Sequence, residues 1–367
     1  MKIFYVANVR FPTERAHGIQ IAKMCEALVR AGADVTLIVP TRGSGDPFKY
    51  YGLTEQFEVK RVWSPRSVAT TFDFLFSSFV FGIMSFLFLL RHKSDCVYSM
   101  DLDPISYTLL PLLRRPYFFE LHGPKRKTVP NRILFRYIAG IITIGERVKS
   151  ELEKNFPRLR EKIIVKPNGT DLTAHNHVKD DARALLGITV EKPLAVYTGS
   201  PLGWKGFEVA VEAATRLPDV AFYFVGISAD DFAKRGVEIP ENVSAIGRVA
   251  FRYTALWQDA ADILFVTGTQ ANEYSYKHTS PMKLFEYMAA RRPILACGTP
   301  AIRQYIDEGQ AFFYEPDDAE SFASGIRDIL SDHASAEARV KNAFRKAEKL
   351  SWDNRAAEVL AFIKKQI

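Results

Sequence analysis

The chain is 367 residues long, 47% hydrophobic, carries a formal net charge of +7 and contains three cysteines. That length accommodates two domains with separate cores, while Cys25, Cys96 and Cys297 lie far apart in apolar segments, which excludes a disulfide framework or zinc module and points to a reducing compartment. The positive balance admits a nucleic acid, an anionic membrane or an anionic substrate. With no zinc-finger spacing, aromatic RNA-binding signature or long Lys/Arg block, nucleic acid is set aside as a partner.

No charged and apolar leader precedes the first strand, so the expectation is a cytoplasmic protein in which Asn242-Val243-Ser244 is a chance sequon. The opening, KIFYVAN, reads as a buried strand. A loop from Val9 to Gly18 follows, then a helix from Ile19 to Arg30 ending at Gly32, then the strand DVTLIV. Such a βαβ unit sets its first loop at the carboxyl edge of a parallel sheet, where ligands bind. Gly18 there either lets backbone approach a phosphate or serves plain turn chemistry, since the full three-glycine dinucleotide fingerprint is absent. Further strands are expected at Val59–Trp63, Asp95–Ser99, Pro116–Leu121, Ile141–Ile144 and Ile163–Lys166. His122, directly after the strand FFEL and before Gly123, is placed on the same rim as Gly18, as a ligand contact or a structural histidine.

Between Phe72 and Leu90 runs FDFLFSSFVFGIMSFLFLL, flanked by Arg66 on one side and by Arg91, His92 and Lys93 on the other. Its length allows a membrane span. Asp73 and the three serines, together with its place inside a βα repeat, argue against one. The leading expectation is a buried domain helix, followed by a helix dipping into the membrane interface. Arg114, Arg115, Lys125, Arg126, Lys127 and Arg132 either favour anionic lipid or are scattered solvated charges.

Residues 166–192 read as a polar linker with a turn at Pro167-Asn168-Gly169-Thr170-Asp171. His175 and His177 there lack a carboxylate or cysteine at ligand spacing, so no metal site is assigned. A second α/β rhythm then begins with the strand PLAVYT, the loop GSPLGWKG and a helix from Phe207 to Leu217. The strands VAFYFVG, VSAIG and DILFV follow. Lys205, among Gly199, Gly203 and Gly206, lies at the carboxyl end of that domain's first strand, as a phosphate ligand or a solvated turn lysine. The last segment, Ser351 to Ile367, is an amphipathic helix.

The stretch YKHTSPMKLFEYMAARRPILA, Tyr276 to Ala296, reads as a helix with Ser280 as N-cap and Pro281 in the first turn. Arg291 and Arg292 close its last turn, and a buried strand follows. Its N-terminus is an anion site flanked by Lys283 and Glu286, or else the two form a surface pair.

Taken together, IVKPNGTD, YTGSPLGWKGFEVAVEA and SPMKLFEYMAARRPILA resemble the retaining nucleotide-sugar glycosyltransferases of family 4, in the family's order and over nearly the whole chain. The resemblance implies the α/β GT-B fold, two Rossmann-like doubly wound domains facing a central cleft. The acceptor-side domain would be residues 1–172, with the closing helix at about 352–367 packing back onto it, and the donor domain 190–350. It implies a UDP- or GDP-sugar as co-substrate, no other cofactor and no metal. Residue by residue, Lys205 matches the lysine on the donor diphosphate, Glu286 the glutamate on the ribose hydroxyls, and Gly18 the first-loop glycine. His122 matches the strand-end histidine near the donor sugar, which makes His122, Lys205 and Glu286 the expected catalytic set. Gly247 and Arg248 stand where backbone meets the base, and Gly199, Ser200, His278, Thr279, Ser280, Pro281 and Lys283 complete the expected donor site.

The sequence departs from the family pattern twice. Ser200 stands where an arginine is common after the strand-end glycine, with Lys283 or Arg248 as compensating cations, and His278 stands where a glutamate is common. A histidine can donate where a carboxylate only accepts. The expected function is retaining transfer of a hexosyl group by front-face attack, with no enzyme nucleophile, to a polysaccharide, lipopolysaccharide or glycolipid acceptor in the cytoplasm or at the inner face of the cell membrane. The alternatives are a soluble small-molecule acceptor and a catalytically silent sugar-nucleotide binder.

Overall fold

Two all-parallel sheets organise the computed structural model, which describes residues 1–65, 70–103 and 105–367. The chain divides into two compact units, residues 1–168 with 352–367, and residues 169–351.

In the first unit the strands are β1 (Lys2–Val6), β2 (Asp34–Pro40), β3 (Glu58–Val62), β4 (Cys96–Met100), β5 (Tyr117–Leu121), β6 (Gly140–Thr143) and β7 (Ile163–Val165). They lie side by side in the order β3-β2-β1-β4-β5-β6-β7, all parallel. The order reverses direction between β1 and β4, which makes the carboxyl ends of those strands the topological switch point. Strands buried on both faces read as continuous apolar runs, and β4, β5 and β6 are buried throughout.

The second unit repeats the plan with β8 (Leu194–Thr198), β9 (Ala221–Val225), β10 (Val243–Gly247), β11 (Ile263–Val266), β12 (Ile294–Cys297) and β13 (Phe312–Tyr314). Their order is β10-β9-β8-β11-β12-β13, with the switch point between β8 and β11. Phe222, Phe224, Phe265 and Phe322 pack its core with ring contacts of 5.4–6.4 Å.

The structure corrects four sequence expectations. The first helix begins at Ala16, not Ile19, so Gly18 is in its first turn. A Cβ at Gly18 would meet the Thr13 side chain at 2.4 Å and the Tyr51 hydroxyl at 2.6 Å, so tight packing requires this glycine. Part of the expected linker is a helix, Lys179–Leu186. Its Lys179 and Arg183, one turn apart, both reach Asp262, at 2.7 and 2.6 Å. A polar composition disguises an amphipathic helix that buries Ala182 and holds its charges partly exposed at the rim of the contact.

The helix at Tyr276–Ala296 also differs from its reading. It spans Met282–Ala289 with Pro281 as N-cap and no side-chain cap. Ser280 instead hydrogen-bonds the Tyr305 side chain, and Arg291 lies beyond the helix with a left-handed φ of 55°.

The fourth correction concerns the apolar run. It is one helix, Thr71–Arg91, opened by a capping box between Thr70 and Asp73; Arg66 falls outside the described residues. Among the described residues it is the one helix long and apolar enough to cross a membrane, yet its flanking strands β3 and β4 share a sheet. Nor is it the expected buried helix. Ser77, Ser78, Gly82 and Ser85 face inward while Phe72, Phe76, Phe79 and Leu90 are exposed. Ser64 and Asn8 hydrogen-bond the inward serines at 3.0 Å each, and a Cβ at Gly82 would meet the Ser106 carbonyl oxygen at 2.8 Å. Small polar residues permit the close approach, so the helix is turned with its aromatic face to solvent.

Candidate functional site

In the second unit, the loop after β8 and the helix Met282–Ala289 after β11 lie on the two sides of the switch point. Gly199 directly follows β8 with φ 150° and donates its N–H to the Val225 carbonyl at 2.8 Å. A Cβ there would fall 2.7 Å from Lys283 Nζ, so the lysine passes directly against this backbone. Lys283 Nζ lies 3.2 Å from the centroid of the Tyr197 ring, a cation–π contact. From the other side Lys205 Nζ donates to Ser200 Oγ at 2.9 Å. Two lysines thus converge on Gly199-Ser200.

Among the described residues neither ammonium has a carboxylate within 4.0 Å. Burial lowers Lys205 to about 8. It lowers Lys283 well below the usual lysine range, and the neighbouring Lys205 charge adds to this while Glu286 opposes it. Two desolvated cations side by side are costly unless an anion joins them. The arrangement is suited to a polyphosphate.

Glu286, one turn along from Lys283, accepts from Gln258 Nε2 at 3.1 Å. Burial raises its carboxyl, with Gln258, His175 and Lys283 opposing. His175, read from sequence as lacking a carboxylate, has one: its Nδ1 is 2.8 Å from Asp259 Oδ1, with both side chains buried. Asp259 also accepts the His177 N–H at 3.3 Å, so both histidines are accounted for by packing, and no group of three metal-ligating side chains occurs among the described residues.

Gly247 ends β10 with φ 72°, and Arg248 after it lies in the field of Asp231. That edge is two strands from β8, so of the two candidate compensating cations it is Lys283 that reaches Gly199. His278 and Thr279 follow the short helix Glu273–Lys277, and both N–H groups donate to the Tyr274 carbonyl, at 3.0 and 2.9 Å. The His278 side chain is buried.

In the first unit, His122 leaves the carboxyl end of β5. Its Nε2 is 3.0 Å from Glu120 Oε1 and 3.2 Å from Gln20 Nε2. Glu120 and Arg355 are fully buried and form an ion pair of 2.8 Å. The Tyr98 hydroxyl donates to the other Glu120 oxygen. Burial would raise the Glu120 carboxyl, but Arg355 foremost, then His122 and Tyr98, outweigh it and hold it at about 2. His17, in the first helix turn with Gly18, is lowered to about 4 by burial and by the Arg15 and His122 charges. Sequence reading missed His17, Gln20, Glu120 and Arg355. The one available signal was a glutamate inside an otherwise apolar strand, FFEL, since such a charge must find a partner.

A doubly wound pair of parallel sheets, each with a switch point, defines the class of the fold as doubly wound α/β, in which ligands bind at the loops beyond the strand ends. Two family models agree: "Glycosyltransferase Family 4" matches residues 18–174 and "Glycosyl transferases group 1" residues 192–332. The chain belongs to the family 4 glycosyltransferases and has their two-domain GT-B fold. The D-inositol 3-phosphate glycosyltransferase of Xylanimonas cellulosilytica is 26% identical over 217 residues, which is 54% of this chain and 50% of that protein. The match therefore spans about half the length of that relative. Among solved structures, sucrose-phosphate synthase from Thermosynechococcus elongatus superposes with a TM-score of 0.78 at 18% identity, over 100% of this chain and 99% of the other. Anabaena HepE in complex with UDP and glucose gives 0.76 at 16%, over 100% of both chains.

Proposed function

We propose that the chain is a retaining glycosyltransferase that moves a hexosyl group from a UDP- or GDP-sugar to a polysaccharide, lipopolysaccharide or glycolipid acceptor. The observation that carries this reading is the convergence of Lys205 and Lys283 on Gly199-Ser200. A departing nucleoside diphosphate gains negative charge as the glycosidic bond loosens, and preorganised cations in a desolvated site stabilise that charge without reorganisation. On this reading Lys283 takes over from the arginine that Ser200 replaces, and the two lysines make a divalent cation unnecessary. Glu286 holds the ribose hydroxyls, and Gly247 and Arg248 meet the base. Gly18 and His122 belong to the first unit's ligand rim, with His122 toward the donor sugar. His278, Thr279, Ser280 and Pro281 shape the approach to the helix that carries Lys283 and Glu286. With no enzyme nucleophile assigned, retention follows from front-face attack.

The acceptor class is supported by the outer face of the first unit. Phe72, Phe76, Phe79, Leu87 and Leu90 form one exposed helical stripe. Leu112, and Val129, Ile133 and Tyr137 on the helix Val129–Tyr137, add exposed apolar side chains beside Arg126, Lys127 and Arg132, while Lys125 is paired with Asp101. Apolar side chains that enter the acyl boundary, rimmed by cations, suit the anionic inner face of a cell membrane. The enzyme would work there on a lipid-linked or membrane-borne glycan.

The test is a panel of UDP- and GDP-sugars followed for hydrolysis and transfer, with nucleotide binding by calorimetry. Transfer with retained anomeric configuration is expected, and Lys205→Ala and Glu286→Ala should each abolish or sharply reduce it in folded protein. Binding without turnover of any donor would overturn the enzyme reading in favour of a silent binder.

A further inference from the structure

His122 is not held by its own strand alone. Glu120, two residues earlier on β5, is fully buried, and its Oε1 takes three neighbours: His122 Nε2 at 3.0 Å, Gln20 Nε2 at 2.6 Å and Arg355 Nη2 at 2.8 Å. Arg355 lies on the closing helix, Trp352–Gln366, where it is 3% exposed and also donates Nε–H to the Pro167 carbonyl at 2.8 Å. An ionised carboxylate offers acceptors only. The ring nitrogen facing it at hydrogen-bond distance must therefore carry the hydrogen, and this charge-assisted bond dominates the longer Gln20 contact. The Gln20 amide donates to the same oxygen from the first helix.

We propose that Glu120 and Arg355 are positioning residues for His122: Arg355 keeps Glu120 ionised and fixed, Glu120 holds the imidazole as the Nε2–H tautomer, and Nδ1 is left as the acceptor presented to ligand. The closing helix thereby sets the orientation of a side chain on the ligand rim. A histidine that presents an acceptor takes a hydrogen bond from a sugar hydroxyl, whereas the other tautomer would donate one. The partner of His122 is thus a hydroxyl-bearing ligand acting as donor, and ring orientation through a carboxylate is the usual way such a tautomer is enforced. This inference rests on the proposed reading of His122 as a donor-sugar contact.

Two-bond 1H–15N correlation spectra of the uniformly labelled full chain read the tautomer directly, with the His122 signals identified by their loss in His122→Asn. The wild-type ring is expected as Nε2–H with an unprotonated Nδ1. A Nδ1–H ring or an even mixture would overturn the proposal without any further variant. Glu120→Gln should then mix the tautomers and lower kcat by about 10–100-fold, while UDP affinity, set by the other unit, stays within about twofold. Arg355→Lys should retain the wild-type tautomer where Arg355→Met loses it, which a purely structural role for the arginine does not produce. Wild-type spectra and wild-type kcat in a folded Glu120→Gln protein would sink the idea. If the ring is Nε2–H but no donor is ever transferred, the enzyme reading fails and the positioning geometry stands; transfer with the other tautomer fails this inference alone.

Discussion

Lys283 Nζ rests 3.2 Å from the centre of the Tyr197 ring and against the backbone of Gly199. A lysine held there costs the free protein desolvation energy and returns it only when an anion arrives. Lys283→Met, similar in shape and uncharged, should therefore leave the melting temperature equal or raised. The same variant should weaken UDP binding by about 10- to 100-fold, the loss of one charged hydrogen bond of about 1.5–3 kcal/mol. Thermal denaturation and calorimetry on one preparation check both signs.

UDP affinity should depend on pH through Lys205, which burial lowers to about 8 in the free protein. Below pH 8 the Lys205 ammonium is already charged, so Lys205 itself takes up no proton on binding and its share of the pH dependence is flat; uptake in that range belongs to the more deeply buried Lys283. Above pH 8 binding must recruit a proton, and affinity should fall by up to about tenfold per pH unit. Calorimetry from pH 7 to 10 in buffers of different ionisation heat would show the proton uptake; Lys205→Ala should abolish only the step centred near pH 8.

Transfer activity should survive excess EDTA with kcat changed less than about twofold, because Lys205 and Lys283 are proposed to supply the charge a metal would otherwise bring to the leaving diphosphate. Loss of activity on chelation, restored by magnesium, would contradict that role.

Arg355→Met should destabilise the protein by about 3–5 kcal/mol, since it leaves the Glu120 carboxylate buried without its cation. Glu120→Gln combined with Arg355→Met should recover part of that loss. Glu120 is held at about 2 in the folded state against an ordinary carboxyl near 4.5. Its stabilising contribution is therefore complete above about pH 4.5 and is lost as pH falls toward 2. Urea unfolding of wild type and Glu120→Gln between pH 2 and 7 should converge at the acid end.

Replacing Phe72, Phe76 and Phe79 by serine should leave the fold intact, because these rings are exposed in the free chain. Binding to phosphatidylglycerol-rich vesicles should drop by more than about tenfold in co-sedimentation, and wild-type binding should weaken with salt. Equal sedimentation of variant and wild type would detach this face from the membrane.

Most of the order of strands and helices, both switch-point loops, and the pairing of a cationic loop with a helix start were legible in the sequence, whereas the absence of a Ser280 cap, the strand Phe312–Tyr314 and the two helices after it were not. Continuous apolar runs, glycine breaks and helical spacing are local signals, each written within about a dozen residues. Lys205 and Glu286 are readable in the same way, as chemistry attached to a recognisable turn or helix start. Three things were decided only by tertiary structure. Lys283 could have been half of a surface pair with Glu286, and it is the fold that brings Gly199 and Tyr197 against it. The Phe72–Leu90 run has the composition of a buried helix, yet Ser77, Ser78, Gly82 and Ser85 pack inward, where small residues allow close approach to Ser64, Asn8 and the Ser106 backbone. Glu120 announces a buried charge, but its cation comes from the far end of the chain. Which face is buried and which charge is neutralised depend on partners remote in sequence, and desolvation, the term that decides both, exists only once those partners have closed around the group.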